Sequence, residues 1–480
     1  MTGTEQKSEF DVVVLGGGTG GYSVALRARG LGLEVALVER DVIGGTCLHR
    51  GCIPSKALLH AAEIMDSIEE GGRRWGISTK LKGVDSSTLA ATRDDIVERN
   101  YKGLVEHLRH DGVELFHGTG RLTSPRTVAV VPADGAAGGG EVQLSARRGV
   151  VVATGSTPRS LPGLEPDGET IVTSDEATRA KRLPDSVLIV GAGAIGLEFA
   201  TLYRAFGAEV TVVEALDSPL PGEDPDISQE IGRALRRKGI ALHLASQVAD
   251  VERDGGGAVA LVRGKEGEQR VKAQMVLVAV GRAPVADGIG LEELGVRRER
   301  GYVVPQDWGR LETNVPGVHV VGDLLPPPSL ALAHASFAEG MLVAELLAGR
   351  APAPIDYANV PRATYSLPEA ASVGLSEPEA RARGVDVVVN RLPLMAIAKG
   401  FIYGQGGMVK VVAERGGPVL GVHLVGPHVT ELIAEGMLMT AWEALPSEVA
   451  EWIHPHPSLS EAVGETLLTL ADRRLHQQSR

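Results

Sequence analysis

The fold is decided by Asp11-Val-Val-Val-Leu-Gly-Gly-Gly-Thr-Gly-Gly21, a β-branched run that opens onto glycines. Gly16, Gly18 and Gly21 fit Gly-x-Gly-x-x-Gly, an amphipathic stretch continues through Arg29, and Leu33 to Val38 forms a second apolar run ending in Glu39. Strand, tight turn, helix, strand and acid in this order make a dinucleotide-binding unit. The glycines let the backbone approach a pyrophosphate at the helix amino terminus, and the carboxylate accepts from a ribose hydroxyl. Further along the chain the unit recurs. Val187 to Val190 leads into Gly191, Gly193 and Gly196, a helix follows through Phe206, and Val210 to Val213 ends in Glu214. Gly16 and Glu39 are 23 residues apart, as are Gly191 and Glu214. One glycine turn of this kind arises readily by chance; two complete units with matched acids predict two Rossmann-like domains in an α/β protein.

Two dinucleotide folds imply two dinucleotides. FAD and NAD are the natural pair, because a flavin passes a hydride to a nicotinamide. Glu214 selects NAD over NADP: a carboxylate hydrogen-bonds a free 2′-hydroxyl and repels a 2′-phosphate, and the following Ala-Leu-Asp-Ser offers no Arg. Composition sets outer limits. A chain of 480 residues has room for several domains with buried cores, and 43% hydrophobic with 23% charged residues is an ordinary globular balance. A net charge of -13 and only 4% aromatic residues argue against a nucleic-acid partner, whose phosphates would be repelled and whose bases would find few rings. The polar start MTGTEQKSEF lacks a secretory pattern, and no apolar run approaches the ~20 residues of a membrane helix. A cytoplasmic protein with no membrane contact is expected.

The only cysteines are Cys47 and Cys52, too few for a Cys-rich metal site or a disulfide framework, and no metal is expected. They are either inert core residues or the chemistry, and composition leaves both open. They lie in Gly44-Gly-Thr-Cys-Leu-His-Arg-Gly-Cys-Ile-Pro-Ser-Lys56, just past the first unit. Four intervening residues at a helix start can hold two Cα atoms within the ~4.4–6.8 Å that a disulfide requires. A helix amino terminus also stabilises a thiolate. This segment resembles the redox-active disulfide of the pyridine nucleotide-disulfide oxidoreductases, and Ile53-Pro-Ser-Lys56 resembles the branch of that family that oxidises dihydrolipoyl groups. The resemblance implies that Cys47 is the interchange thiol that meets substrate and that Cys52 faces the flavin. It also implies that Lys56 lies beside the flavin ring, with Glu198 as its acidic partner near the nicotinamide. His49-Arg50 departs from the Asn-Val of many relatives.

The resemblance runs from Phe10 to Glu465 and implies further cofactor contacts. Gly45 and Thr46 precede the first cysteine. Thr154, Gly155 and Ser156 lie where the chain leaves the FAD domain, Val248 lies within the NAD domain, and Gly281 lies at the return. Val320-Val-Gly-Asp323 resembles the second FAD signature, whose Asp contacts the ribityl chain, and Leu332, Ala333 and His334 open the segment after it. Gly120 adds a backbone contact on the adenine side. Gly135 to Gly140 reads as a hairpin loop, and Ala351-Pro-Ala-Pro354 as a stiff domain boundary. The expected division is residues 1–156 and 284–354 for FAD, 157–283 for NAD, and 355–480 for an α+β dimer-interface domain.

Trp452-Ile-His-Pro-His-Pro-Ser-Leu-Ser-Glu461 resembles the family's His-Pro-Thr-x-x-Glu motif, with Ser458 in place of Thr. Disulfide interchange needs a thiolate, whereas a dithiol substrate arrives protonated at neutral pH. A His near neutrality takes that proton, and a carboxylate orients the ring and stabilises its cation, which gives His456 and Glu461 those roles. The resemblance further implies a cis bond at Pro457 and a homodimer in which His456 of the partner subunit serves Cys47. It implies oxidation of dihydrolipoamide with NAD as acceptor, and lipoyl domains of a 2-oxo acid dehydrogenase complex or the glycine cleavage system as partners. A glutathione- or mycothione-type reductase and a redox-inert structural flavoprotein remain alternatives. Glu214 speaks against the first, and Cys47, Cys52, His456 and Glu461 against the second.

Overall fold

A computed structural model describes residues 7–80, 83–133, 140–265 and 267–477. The chain forms two compact units. The first comprises Met1–Ser55, Ala91–Pro158 and Arg282–Tyr357; the second comprises Lys56–Ala90, Arg159–Gly281 and Ala358–Arg480.

In the first unit the valine run of strand Glu9–Leu15 is apolar on both faces, as a central parallel strand must be. It pairs in parallel with Val35–Glu39 on one side and Val142–Val152 on the other. Glu114–Ser124 extends the sheet beyond Val35–Glu39, and Val318–Val320 extends it beyond Val142–Val152. The far ends of Glu114–Ser124 and Val142–Val152 pair antiparallel with Thr127–Pro132. The loop expected at Gly135 to Gly140 lies outside the described residues, Gly140 apart. Helix Thr19–Gly30 joins the first two strands and carries helix Ala333–Leu347 against it; a Cβ on Gly340 would come 2.0 Å from Ser23 Oγ.

The second unit holds a five-stranded parallel sheet in the order Ala241–His243, Glu209–Val213, Ser186–Val190, Met275–Val278, Ile171–Thr173. Helix Ala194–Ala205 connects two of these strands, and Gln247–Arg253, Ala258–Gly264 and Gly267–Ala273 form a separate antiparallel sheet. A second five-stranded sheet, wholly antiparallel, runs Arg362–Thr364, Glu369–Gly374, Val419–Gly426, Met408–Glu414, Val387–Pro393. Helices Val429–Ala441 and Glu461–Leu470 pack on it.

The segments expected to bind NAD and to form the dimer interface thus fall within one compact unit, and a buried ion cluster joins them. Asp224 caps helix Pro225–Arg237 and is fully buried. Lys410, on strand Met408–Glu414, reaches Asp224 at 2.8 Å, Asp226 at 2.5 Å and Glu377 at 2.9 Å. Loss of either side would strand uncompensated buried charge, a cost of about 3–5 kcal/mol. Among the described residues no helix is long and apolar enough to cross a membrane.

Candidate active site

In the first unit the three fingerprint glycines do different work. Gly16 has φ +108°, and a Cβ there would lie 2.3 Å from Ala153 O. A Cβ on Gly21 would lie 1.8 Å from Gly16 O, so the absent side chain lets the helix press against the turn. A Cβ on Gly18 would meet nothing within 4 Å. Gly18 is the N-cap of helix Thr19–Gly30 and provides no side-chain cap, so open space faces a helix end whose N–H groups and dipole favour an anion. Such a helix end can cradle a pyrophosphate. Glu39 Oε2 accepts from Gly17 N–H and Oε1 from Asp41 N–H, both at 2.7 Å, leaving lone pairs for ribose hydroxyls.

The same unit places a polar cluster around Asp323. The Ser156 hydroxyl donates to Asp323. Arg282 donates to Ser156 Oγ at 2.7 Å and to Ser156 O at 2.8 Å. Burial pushes the Asp323 carboxyl up, and Ser156 and Arg282 oppose the shift. A half-buried carboxylate with unused lone pairs matches the hydroxyls of a polyol. Behind it Glu339, buried, accepts from Gly322 N–H at 2.7 Å, Ser329 Oγ at 2.9 Å and Tyr357 OH at 3.0 Å, and so fixes the turn that presents Asp323. Thr154 Oγ1 donates to Val285 O at 2.6 Å, and Gly155 O accepts from Val285 N–H at 2.8 Å. Leu332 caps the helix that begins Ala333-His334. Gly120 sits inside its sheet, where a Cβ would lie 2.6 Å from Leu15 Cδ1.

Gly45, Thr46 and Cys47 lie in the short helix Gly45–His49, and Cys52 opens helix Cys52–Asp66. The two cysteines are close together. Burial, and then the charge of Cys47 and Cys52, push the Tyr22 hydroxyl up to about 12, so this phenol stands in the field of both sulfurs. His49 bonds through Nε2 to Ile43 O at 2.9 Å and sets its ring edge-on to Tyr101, while Arg50 pairs with Asp41. The two residues that depart from the family pattern thus have partners within the same unit.

The second unit repeats the fingerprint. Gly191 has φ +106°, a Cβ on Gly196 would lie 2.0 Å from Gly191 O, and a Cβ on Gly193 would meet nothing within 4 Å. Glu214 accepts from Ala192 N–H at 2.7 Å and Leu216 N–H at 2.9 Å. Val248 packs at the side of an apolar cluster that contains Val213 and Val262, and Gly281 ends the segment at φ +108°. Glu198, 6% exposed on helix Ala194–Ala205, takes both contacts of Lys56 Nζ, at 2.9 and 2.8 Å.

At the far end of the chain His456 Nδ1 lies 2.8 Å from Glu461 Oε1, and Ser458 N–H donates to Oε2 at 2.8 Å. Burial acts to raise the Glu461 carboxyl, but the bonds from His456 and Ser458 outweigh it and hold the group below the usual range. The His456 side chain is 69% exposed, and its bond to Pro457 is cis, as the resemblance implied. His454 is largely buried; its bond to Glu435 at 2.7 Å raises it despite desolvation. Among the described residues no three His, Cys, Asp or Glu groups gather as a metal site.

Sequence reasoning did not single out Tyr22, Arg282, Glu339 or Tyr365. Arg282 directly follows Gly281, and Glu339 is a lone acid in an otherwise apolar helix turn, which is a usable signal for a buried partner. Tyr365 carries none.

Comparison with known proteins gives one answer. Residues 10–340 match the pyridine nucleotide-disulphide oxidoreductase family, and residues 360–467 match its dimerisation domain. The chain is 41% identical to the dihydrolipoyl dehydrogenase of Bacillus subtilis over 477 residues, covering 98% of this chain and 99% of the relative. It is 36% identical to the dihydrolipoyl dehydrogenase of Zymomonas mobilis, covering 97% and 99%. The crystal structure of LpdA from Mycobacterium tuberculosis aligns at a TM-score of 0.86 and 27% identity, covering 97% of this chain and 100% of that one. The chain belongs to the pyridine nucleotide-disulphide oxidoreductase family, and it carries that family's dimerisation domain.

Proposed function

We propose that this protein is a dihydrolipoyl dehydrogenase, which oxidises dihydrolipoyl groups to lipoyl groups with FAD and NAD as cofactors. The observation that carries the reading is the close pair Cys47 and Cys52 at a helix start, in a chain that also holds a His456–Glu461 dyad. Residues 1–156 and 284–354 bind FAD, 157–283 bind NAD, and 355–480 form the dimer interface. Gly16, Gly18, Gly21, Glu39, Gly45, Thr46, Gly120, Thr154, Gly155, Ser156, Asp323 and Leu332 to His334 serve FAD. Gly191, Gly193, Gly196, Glu214, Val248 and Gly281 serve NAD.

His456 of the partner subunit takes a proton from one substrate thiol, and Glu461 of the partner subunit stabilises the resulting imidazolium. In the oxidised enzyme, where a disulfide joins Cys47 and Cys52, the substrate thiolate attacks Cys47 Sγ and forms a mixed disulfide; the Cys47–Cys52 bond breaks and Cys52 leaves as a thiolate. The second substrate thiol then attacks the substrate sulfur bound to Cys47, and its proton passes to the departing Cys47 sulfur. The lipoyl disulfide closes, Cys47 departs, and the two electrons remain on the cysteine pair. Bound FAD supplies the route by which those electrons reach NAD as a hydride. Lys56, held by Glu198, supplies a fixed positive charge in the helix that Cys52 opens.

The protein works as a cytoplasmic homodimer and serves lipoyl domains of a 2-oxo acid dehydrogenase complex or the glycine cleavage system. The dimerisation-domain match and the exposed ring of His456 support a dimer in which the dyad acts on the other chain.

Anaerobic turnover with dihydrolipoamide and NAD tests the reading. NADH should form, fall by at least about 10³-fold in Cys47→Ser, and fall about 10²–10⁴-fold in His456→Ala. Flavin reduction by NADH without dihydrolipoamide turnover would replace the substrate with another disulfide.

A further inference from the structure

The Lys56–Glu198 pair has a third member. Tyr365 lies just past strand Arg362–Thr364, its N–H donates to Glu198 Oε1 at 3.0 Å, and Lys56 Nζ stands 4.7 Å from the centroid of its ring. Two residues on, Leu367 N–H donates at 3.2 Å to Thr201 Oγ1, one turn along the helix that carries Glu198. Segment 365–367 is therefore tied to helix Ala194–Ala205 at two points, which fixes where the Tyr365 ring can sit.

A lysine ammonium on four rotatable carbons is poorly confined by one partner. Glu198 grips Lys56 through both carboxylate oxygens, and the electron-rich face of the ring attracts the same cation. The main-chain N–H of Tyr365 meanwhile braces the carboxylate itself. One residue thus touches both members of the pair through different groups. Burial pushes the Tyr365 hydroxyl up while the Lys56 charge opposes, so the phenol is neutral at working pH.

We propose that Tyr365 is a positioning residue whose ring face, and not its hydroxyl, holds the Lys56 ammonium in place. The inference rests on the proposed function for what Lys56 is for; the geometry it concerns is read without turnover.

The test uses FAD-loaded enzyme as Tyr365→Phe, Tyr365→Leu and Tyr365→Met. An amine-acylating reagent is applied, and the modification rate of Lys56 is measured by peptide mass spectrometry, with exposed Lys181 as internal standard. Phe keeps the ring face and should react at the parental rate. Leu and Met remove it and should acylate roughly two- to fivefold faster, the change expected for loss of a partly exposed cation–π contact. Leu and Met have nearly the same volume but different shapes, so equal acceleration in the two assigns the effect to the missing ring and not to a gap of one particular shape. Melting temperature checks that each variant is folded. Parental rates in both Leu and Met, or acceleration in Phe, would overturn the inference. Dihydrolipoamide turnover of the parent is scored separately: its absence, with the acylation pattern intact, sinks the function and leaves the role of Tyr365 standing.

Discussion

The two glycine turns are near copies, and they differ at three positions, Gly17 against Ala192, Thr19 against Ala194 and Gly20 against Ile195, and in what folds back on them. In both, the middle residue's N–H donates to the acid at the end of the second strand, Gly17 to Glu39 and Ala192 to Glu214, each at 2.7 Å. In both, that residue's carbonyl accepts from the segment beyond the acid, from Gly44 N–H at 2.8 Å and from Leu220 N–H at 2.9 Å. The returning segment is what separates them. After Glu39 it brings Ile43 and then the cysteines; after Glu214 it leads to the capped helix Pro225–Arg237. The turn geometry is common to both, and the proposed redox pair lies in the chain that returns to one of them.

The largest test of this comparison is to break each cradle in turn. A methyl on Gly21 or Gly196 would sit about 2 Å from a backbone oxygen that cannot rotate away, at 1.8 and 2.0 Å respectively. Gly21→Ala should lower flavin content severely. Gly196→Ala should keep the flavin and weaken NADH binding at least about tenfold, the consequence of a misplaced helix end costing ~1.4 kcal/mol or more. Flavin absorbance per protein and NADH titration read both. Equal flavin loss in the two variants would refute separate roles for the two turns. A smaller effect is expected at the acid. Glu214→Ala removes an ionised acceptor worth about 1.5–3 kcal/mol, so the KM for NADH should rise roughly 10- to 100-fold, with flavin content unchanged. An unchanged KM would place the nicotinamide dinucleotide elsewhere.

Much of this was legible because the signals are local. Gly16 to Glu39, Gly191 to Glu214, Cys47 with Cys52 and His456 with Glu461 each lie within 23 residues, and each uses residue types that the chemistry restricts. Tyr365 was not legible. Its partner Glu198 is 167 residues away, and a tyrosine after a strand satisfies many environments. Lys410 was hidden for the same reason, since its buried contact with Asp224 spans 186 residues. The assignment of Lys56–Ala90 to the second compact unit had no sequence mark either. The division falls inside helix Cys52–Asp66, where neither composition nor periodicity breaks. Pair contacts across a fold leave no period to read, whereas turns, caps and strand ends do.

The finest difference between the turns is Gly17 against Ala192, and it has a packing cause that can be tested. A Cβ on Gly17 would lie 2.8 Å from Ile43 Cδ1 and 3.2 Å from Glu39 Oε2, whereas Ala192 keeps its methyl fully buried in the apolar core. The first contact is with the end of a movable side chain, so Gly17→Ala should cost only about 1 kcal/mol. Ile43→Val removes Cδ1 and should abolish that cost. In the Ile43→Val background the loss of unfolded-chain freedom, worth about 0.4–1 kcal/mol, makes Gly17→Ala neutral or stabilising. Ala192→Gly has no clash to relieve and loses a buried methyl together with backbone restraint, so it should cost roughly 1–2 kcal/mol. Urea midpoints of the flavin-loaded enzyme give all four values, and the Gly17–Ile43 cycle gives the coupling directly. A Gly17→Ala cost that persists beside Ile43→Val would rule out Ile43 as its source and leave the Glu39 carboxylate, 3.2 Å from the methyl, or the dinucleotide itself.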